Sequence, residues 1–112
     1  MVADLDADSA DRVAAELAGD RAGAIEADIS NLADVDRVLA ACVSSFGSLD
    51  ILVNNAAVTR FVDVLDITPD DWDRMHSVNA RGTFFAMQRG ARHMIDTGTR
   101  GRIVNIASIA GK

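Results

Sequence analysis

Residues 50–57 constrain this chain more than any other stretch. An aspartate leads into the apolar run Ile51-Leu52-Val53, which stops abruptly at Asn54-Asn55-Ala56-Ala57. A short apolar run bounded by polar residues reads as a strand of a parallel sheet, buried on both faces. Small residues just beyond such a strand let the main chain lie close against a ligand, where a bulky side chain would stand in the way. Ligands of open α/β sheets sit in that crevice, past the carboxyl ends of the strands.

The segments around this strand alternate as strand, helix, strand, helix, strand, long helical stretch, strand. That order predicts βαβ units and a parallel sheet, with no linker or repeat to divide residues 1–112. Val2-Ala3-Asp4 reads as the end of a strand. Ser9 is expected to cap a helix with Ala10, Val13, Ala14 and Leu17 at helical spacing, stopped by Gly19. Residues 24–27 predict a second strand closing on Asp28. Asn31 is expected to cap the next helix, whose apolar face runs from Leu32 through Val35, Val38, Leu39, Cys42 and Val43 to Phe46, with Gly47 as its stop. A loop through Phe61 and Val64 follows. Thr68-Pro69-Asp70-Asp71 is a helix start: a capping hydroxyl, proline at the first position and carboxylates at the positive end of the dipole. That helical stretch is expected to reach about residue 96, with a bend at Gly82. Gly98 and Gly101 then precede a last strand at 102–106, and Ser108 falls just beyond its carboxyl end.

Net charge is −6, with 15 Asp against 2 Glu, and the basic residues form no cluster. This balance argues against nucleic acid and against anionic membrane surfaces as partners. No apolar run approaches the roughly 18–20 residues that span a bilayer, and the first residues lack a charged-then-apolar signal pattern. A single cysteine, Cys42, suits a reducing compartment, so a cytoplasmic protein is expected. His76 and His93 stand on helices without neighbours at metal-ligand spacing, and no metal site is expected.

Three segments, in order, carry a family resemblance. Asp50-Ile51-Leu52-Val53-Asn54-Asn55-Ala56-Ala57 resembles the DxLVNNAG signature of the short-chain dehydrogenase/reductase family, with Ala57 in place of the usual glycine. Ser77-Val78-Asn79-Ala80-Arg81-Gly82-Thr83 is similar to its VNxxG helix segment, and Arg102-Ile103-Val104-Asn105-Ile106-Ala107-Ser108 to its IVNxxS strand. The resemblance implies a Rossmann-like, doubly wound parallel sheet and an NAD(P)-dependent oxidoreductase acting on a secondary alcohol or ketone. It also implies that an intact member would assemble as a homodimer or homotetramer, with Trp72, Phe84, Phe85 and Met87 packing helices or the subunit interface.

The same resemblance implies roles residue by residue. Asp4 would accept hydrogen bonds from the adenosine ribose, which favours NAD over NADP; Asp28 and Ile29 would flank the adenine, although Asp28 also reads as a helix cap. Asn55, Ala56 and Ala57 would line the cofactor with main-chain atoms, and Asn54 reads equally as a structural residue bonding neighbouring main chain. Asn79 would kink its helix and hold a water of the proton relay, and Ser108 would hydrogen-bond the substrate oxygen. The family's proton donor is a tyrosine in a YxxxK motif, and this chain has no tyrosine; its only lysine, Lys112, falls too early after Ser108. The Gly-rich TGxxxGxG turn is absent as well, so the chain reads as the middle of an enzyme and is expected to be inactive alone. Two other readings stay open: a non-catalytic nucleotide-binding or interaction module, or one half of a split enzyme. Asn-Asn-Ala-Ala together with Asn-Ile-Ala-Ser is similar to the polyol and sugar dehydrogenase branch.

The family's sheet order, 3-2-1-4-5-6-7, has a sharp consequence. This chain has material for strands two to five and none for the first, so a sheet built from it is expected to have a hole at its centre, with unpaired backbone on both sides.

Overall fold

A computed structural model describes residues 1–18 and 21–108. The expected helix stop at Gly19 and the position of Lys112 lie outside the described residues. Strand β1 (Val2–Asp4) leads into helix α1 (Ala7–Ala18) and strand β2 (Ala24–Glu26); helix α2 (Leu32–Phe46) crosses to strand β3 (Ile51–Asn54). Helix α3 (Pro69–His76), a π-helical segment at Ser77–Gly82 and helix α4 (Thr83–Asp96) follow almost without interruption, and strand β4 (Arg102–Asn105) ends the described fold. A turn of 3₁₀ helix at Val64–Asp66, capped by Asp63, interrupts what the sequence suggested as plain loop.

Most helix ends form where the sequence places their capping groups. Asn31 accepts from the Ala33 N–H at 3.0 Å, and Gly47 closes α2 in the left-handed region at φ 86°. Thr68 and Asp71 form a reciprocal capping box at the start of α3. The start of α1 differs from expectation. Asp6, not Ser9, caps it: its carboxylate accepts from the N–H groups of Asp8 and Ser9 and from the Ser9 hydroxyl. A carboxylate three residues upstream of Ser9 reaches two orphan amides at once, and the serine hydroxyl is drawn in as a further donor.

The strands form two separate parallel pairs, β1 with β2 and β3 with β4. The expected hole therefore separates two small sheets. Helix α1 packs on the first pair, α4 on the second, and α2 against α4 joins the two halves. An ion pair from Arg89 to Asp36, and the Arg81 guanidinium donating to the Ser30 carbonyl at 3.0 Å, tie the same halves together. The core is thin: Ala10, Ala14, Ala27, Val35, Leu49, Val78, Ala86 and Met94 are its buried members, and most are small.

A further expectation is overturned. The Ile51-Leu52-Val53 strand is not buried on both faces: Leu52 packs under Gly90 of α4, whereas Ile51 and Val53 are 64% and 54% exposed. Register places Val104 beside Val53, and together with Ile106 these residues form an open aliphatic face. The reason is topological, since among the described residues α4 is the helix packed most extensively against this pair of strands, and it lies on the face that carries Leu52.

Global dimensions agree. The radius of gyration is 15.3 Å, where a compact domain of this length would have roughly 13 Å. The accessible surface is 7862 Å², against roughly 5,900 Å² for a compact monomer of this mass.

Candidate functional site

The carboxyl ends of β1, β2 and β3 open on one cavity of about 630 Å³. Asp4 and Leu5 line it from the first strand, Asp28 to Ser30 from the second, and Asn54 to Val58 from the third; Ser77 and Val78 close it from the π-helical segment. Parallel strands bring these residues together because every crossover returns the chain to the same end of the sheet. A second, shallower groove of about 710 Å³ between α2 and α4, lined by Asp36, Arg89, Arg92 and Asp96, lies away from those strand ends.

Asp4 is exposed, and its Oδ1 accepts from the Asp6 N–H at 3.0 Å. This local bond fixes the carboxylate beyond the strand end. Asp28 behaves similarly, accepting from the Ser30 N–H at 2.9 Å, while its own N–H donates to Asp34 at 3.0 Å. Asp28 therefore shapes a turn and leaves the capping of α2 to Asn31. The bonds from the Asp28 amide and from Arg37 hold the Asp34 carboxyl below the usual carboxylate range.

Asn55, Ala56 and Ala57 are all exposed on the loop after β3. Their position is set by Asn79, whose amide donates to the Val58 carbonyl at 2.7 Å and accepts from the Val58 N–H at 2.9 Å. Asparagine in a helix competes with backbone bonding, and here it sits in the π-helical turn, with both polar atoms used on another loop. The expected irregularity at Gly82 is thus a six-residue π-helix of which Gly82 is the last member. Gly82 also sets a close approach, since a Cβ there would lie 2.6 Å from the Ile29 carbonyl oxygen. The glycine lets the helix sit directly on the 28–30 loop.

Asn54 bonds the side chain of Asn105 at 2.8 Å rather than neighbouring main chain. The two residues face each other in register, and Asn105 also donates to the Met87 sulfur at 3.6 Å. Asn105 was missed as a partner, although it stands in the Ile-Val-Asn segment; Val58 was missed too, and nothing in its own identity signals the clamp. Ser108 lies exposed beyond β4 and is not among the cavity-lining residues. Among the described residues no cluster of His, Cys, Asp or Glu could hold a metal, and no helix is long and apolar enough to cross a membrane.

Comparison with known proteins matches this architecture. Residues 1–112 match the family described as short chain dehydrogenase, and the chain belongs to that family. It is 42% identical over 111 residues to a sorbitol dehydrogenase of Cereibacter sphaeroides and 37% identical over 112 residues to a galactitol 2-dehydrogenase of Agrobacterium fabrum. These alignments take in 99% and 100% of this chain and 43% of each relative. A solved structure of 3-ketoacyl-(acyl-carrier-protein) reductase from Brucella melitensis, complexed with NADH, superposes with a TM-score of 0.86 at 39% identity. That match covers 95% of this chain and 45% of the reductase. The fold is thus a Rossmann-like α/β fold, present in part.

Proposed function

We propose that the enzyme carrying these 112 residues is an NAD-dependent dehydrogenase that interconverts a secondary alcohol and a ketone, with polyols as its substrate class. The observation that carries this reading is the convergence of Asp4, Asp28, Ile29 and the Asn55–Ala57 loop residues on one cavity at the carboxyl ends of three parallel strands. The names of the sorbitol and galactitol relatives support the polyol class.

The donor set suits the adenosine end of a dinucleotide. The Asp4 carboxylate offers an acceptor to vicinal ribose hydroxyls and repels an added phosphate; residues 1–11 hold no Arg or Lys. Asp28 and Ile29 flank the base, and the exposed small residues Ala56 and Ala57 let main chain approach it. When bound, the cofactor supplies hydride exchange at carbon.

This chain's own contributions are positioning ones. Ser108 donates its hydroxyl to the substrate oxygen and stabilises charge developing there. Asn79 acts through Val58, holding the loop against which the cofactor rests, because both polar atoms of its side chain are committed there. The proton donor comes from elsewhere, since the chain has no tyrosine.

The test is a titration of the full-length enzyme with NADH and NADPH, with and without Asp4→Ala. NADH preference that falls in the variant supports the reading. An unchanged preference places the ribose contact on another residue.

A further inference from the structure

The turn after β2 is held by bonds of its own and by one that comes from far along the chain. Asp28 donates its N–H to the Asp34 carboxylate at 3.0 Å and accepts from the Ser30 N–H at 2.9 Å. The Ser30 carbonyl stands ahead of α2, where Asn31 is the capping residue and the Asn31 carbonyl already accepts from Val35. The helix ladder therefore does not use the Ser30 carbonyl. Arg81 does, donating from its guanidinium at 3.0 Å across 51 positions of sequence. Asp28, Ile29 and Ser30 line the cavity, whereas Arg81 stands outside it on the π-helical segment.

An arginine on a helix surface samples many rotamers, and fixing it in one costs entropy. Phe85 offsets that cost. Its ring centre lies 5.7 Å from the Arg81 guanidinium carbon and 5.6 Å from that of Arg89, within the range of a cation–π contact. Residues 81, 85 and 89 recur every four positions, so they form one stripe from the π-helical segment onto α4. The two arginines then reach different targets. Arg89 pairs with the Asp36 carboxylate on the body of α2. No carboxylate among the described residues pairs with Arg81, whose contacts are the Phe85 ring and the Ser30 carbonyl. Arg89 thus ties helix to helix, and Arg81 ties the helix to the turn. A guanidinium suits the second task because it stacks by its plane and donates from its edge at once.

We propose that Arg81, held in place by Phe85, is a positioning residue for the adenosine half of the dinucleotide, acting through Ser30 on Asp28 and Ile29. This rests on the cofactor reading above, in which Asp28 and Ile29 flank the base. Ser30 is fixed at both of its main-chain polar groups, the N–H by Asp28 and the carbonyl by Arg81. A turn ordered before the ligand arrives spares the binding step the entropy of ordering it. The effect falls on the adenosine end alone, because the 55–58 loop is held by a different residue of the same segment, Asn79.

The test uses the full-length enzyme and two half-ligands: AMP, followed by displacement of fluorescent NADH, and reduced nicotinamide mononucleotide, followed by its own fluorescence. Arg81→Ala should raise the Kd of AMP and of NADH about fivefold to tenfold and leave that of the mononucleotide unchanged. Arg81→Lys, which keeps a cationic donor, should recover part of the loss. Phe85→Leu, which keeps an apolar side chain without the ring, should weaken AMP in the same direction by a smaller factor. Arg89→Ala is the structural control: it removes the neighbouring guanidinium and the Asp36 pair, so its urea midpoint falls while AMP affinity holds. Unchanged AMP affinity in Arg81→Ala overturns the inference. So does equal weakening of AMP and the mononucleotide, or equal weakening of AMP by Arg89→Ala, since either means general loosening. Arg81→Gln carries the same comparison where the alanine variant does not fold. A wild type that binds neither AMP nor NADH overturns the cofactor reading and this inference with it. A wild type that binds both, with Arg81→Ala indistinguishable from it, overturns this inference alone.

Discussion

Asn79 grips Val58 by both ends of its carboxamide, with Nδ2 2.7 Å from the Val58 carbonyl oxygen and Oδ1 2.9 Å from its amide nitrogen. The residues are 21 positions apart, and this pair of bonds joins the π-helical turn to the loop that closes the cavity. Replacing Asn79 with Ala should destabilise the fold by about 1–2 kcal/mol, the net worth of two such bonds. Asn79→Asp should recover only part of the loss, because a carboxylate still accepts from the Val58 N–H but repels the Val58 carbonyl. Urea midpoints give the stability change, and hydrogen exchange at the Val58 amide locates it. Equal exchange rates in all three proteins would show that the clamp does not hold the loop.

Gly82 and Gly47 should respond differently in kind to the same substitution. At Gly82 a Cβ meets the Ile29 carbonyl oxygen at 2.6 Å, so Gly82→Ala must push the helix off the 28–30 loop, at about 1–3 kcal/mol. At Gly47 nothing lies within 4 Å, and the loss comes only from φ 86°, roughly 1 kcal/mol. The diagnostic difference is local: NMR shifts at Ile29 and Ser30 should move in Gly82→Ala and stay in place in Gly47→Ala.

Acid should weaken the start of α3 through Asp71. Hydrogen bonds from the Thr68 hydroxyl, then from Arg60 and from the Thr68 amide, lower its carboxyl from 3.8 to about 2. A folded-state value below the unfolded one stabilises the fold above the unfolded pKa, and that contribution is lost as pH falls toward the folded one. The stability gap between the wild type and Asp71→Asn should therefore be constant above about pH 5 and shrink between roughly pH 4 and pH 2. A gap that stays constant through that range would show that Asp71 gains nothing from its charge. The Asp6 and Asp34 carboxyls are lowered for similar reasons, so the whole fold should lose stability in the same direction.

Local chemistry was the legible part of this sequence. Thr68-Pro69-Asp70-Asp71 names its helix start outright, and Gly47 its helix end, because caps are decided by a few adjacent residues. The two-stranded sheets followed from the family's strand order. Side-chain partners across long separations were not legible: Asn54 with Asn105, Asn79 with Val58 and Gly82 with Ile29 depend on how strands and helices are brought together. Burial of Ile51 and Val53 was misjudged for a related reason. Apolar character says that a face wants cover, but not whether any of these residues supplies it.

Ser108→Ala should separate catalysis from cofactor binding in the full-length enzyme. The serine stands exposed beyond the end of β4, apart from the cavity lined by Asp4, Asp28 and the 55–57 loop. Its hydroxyl, in the proposed role, acts only on the substrate oxygen and on the charge that develops there. Loss of one such donor lowers kcat/KM by about 10²–10³-fold, while NADH affinity should change little. Asn79→Ala should behave differently, weakening NADH binding as the 55–58 loop loosens. Steady-state rates and NADH fluorescence titration on both variants decide the matter, and if Ser108→Ala loses NADH affinity and rate together, Ser108 shapes the strand end and another group holds the substrate oxygen.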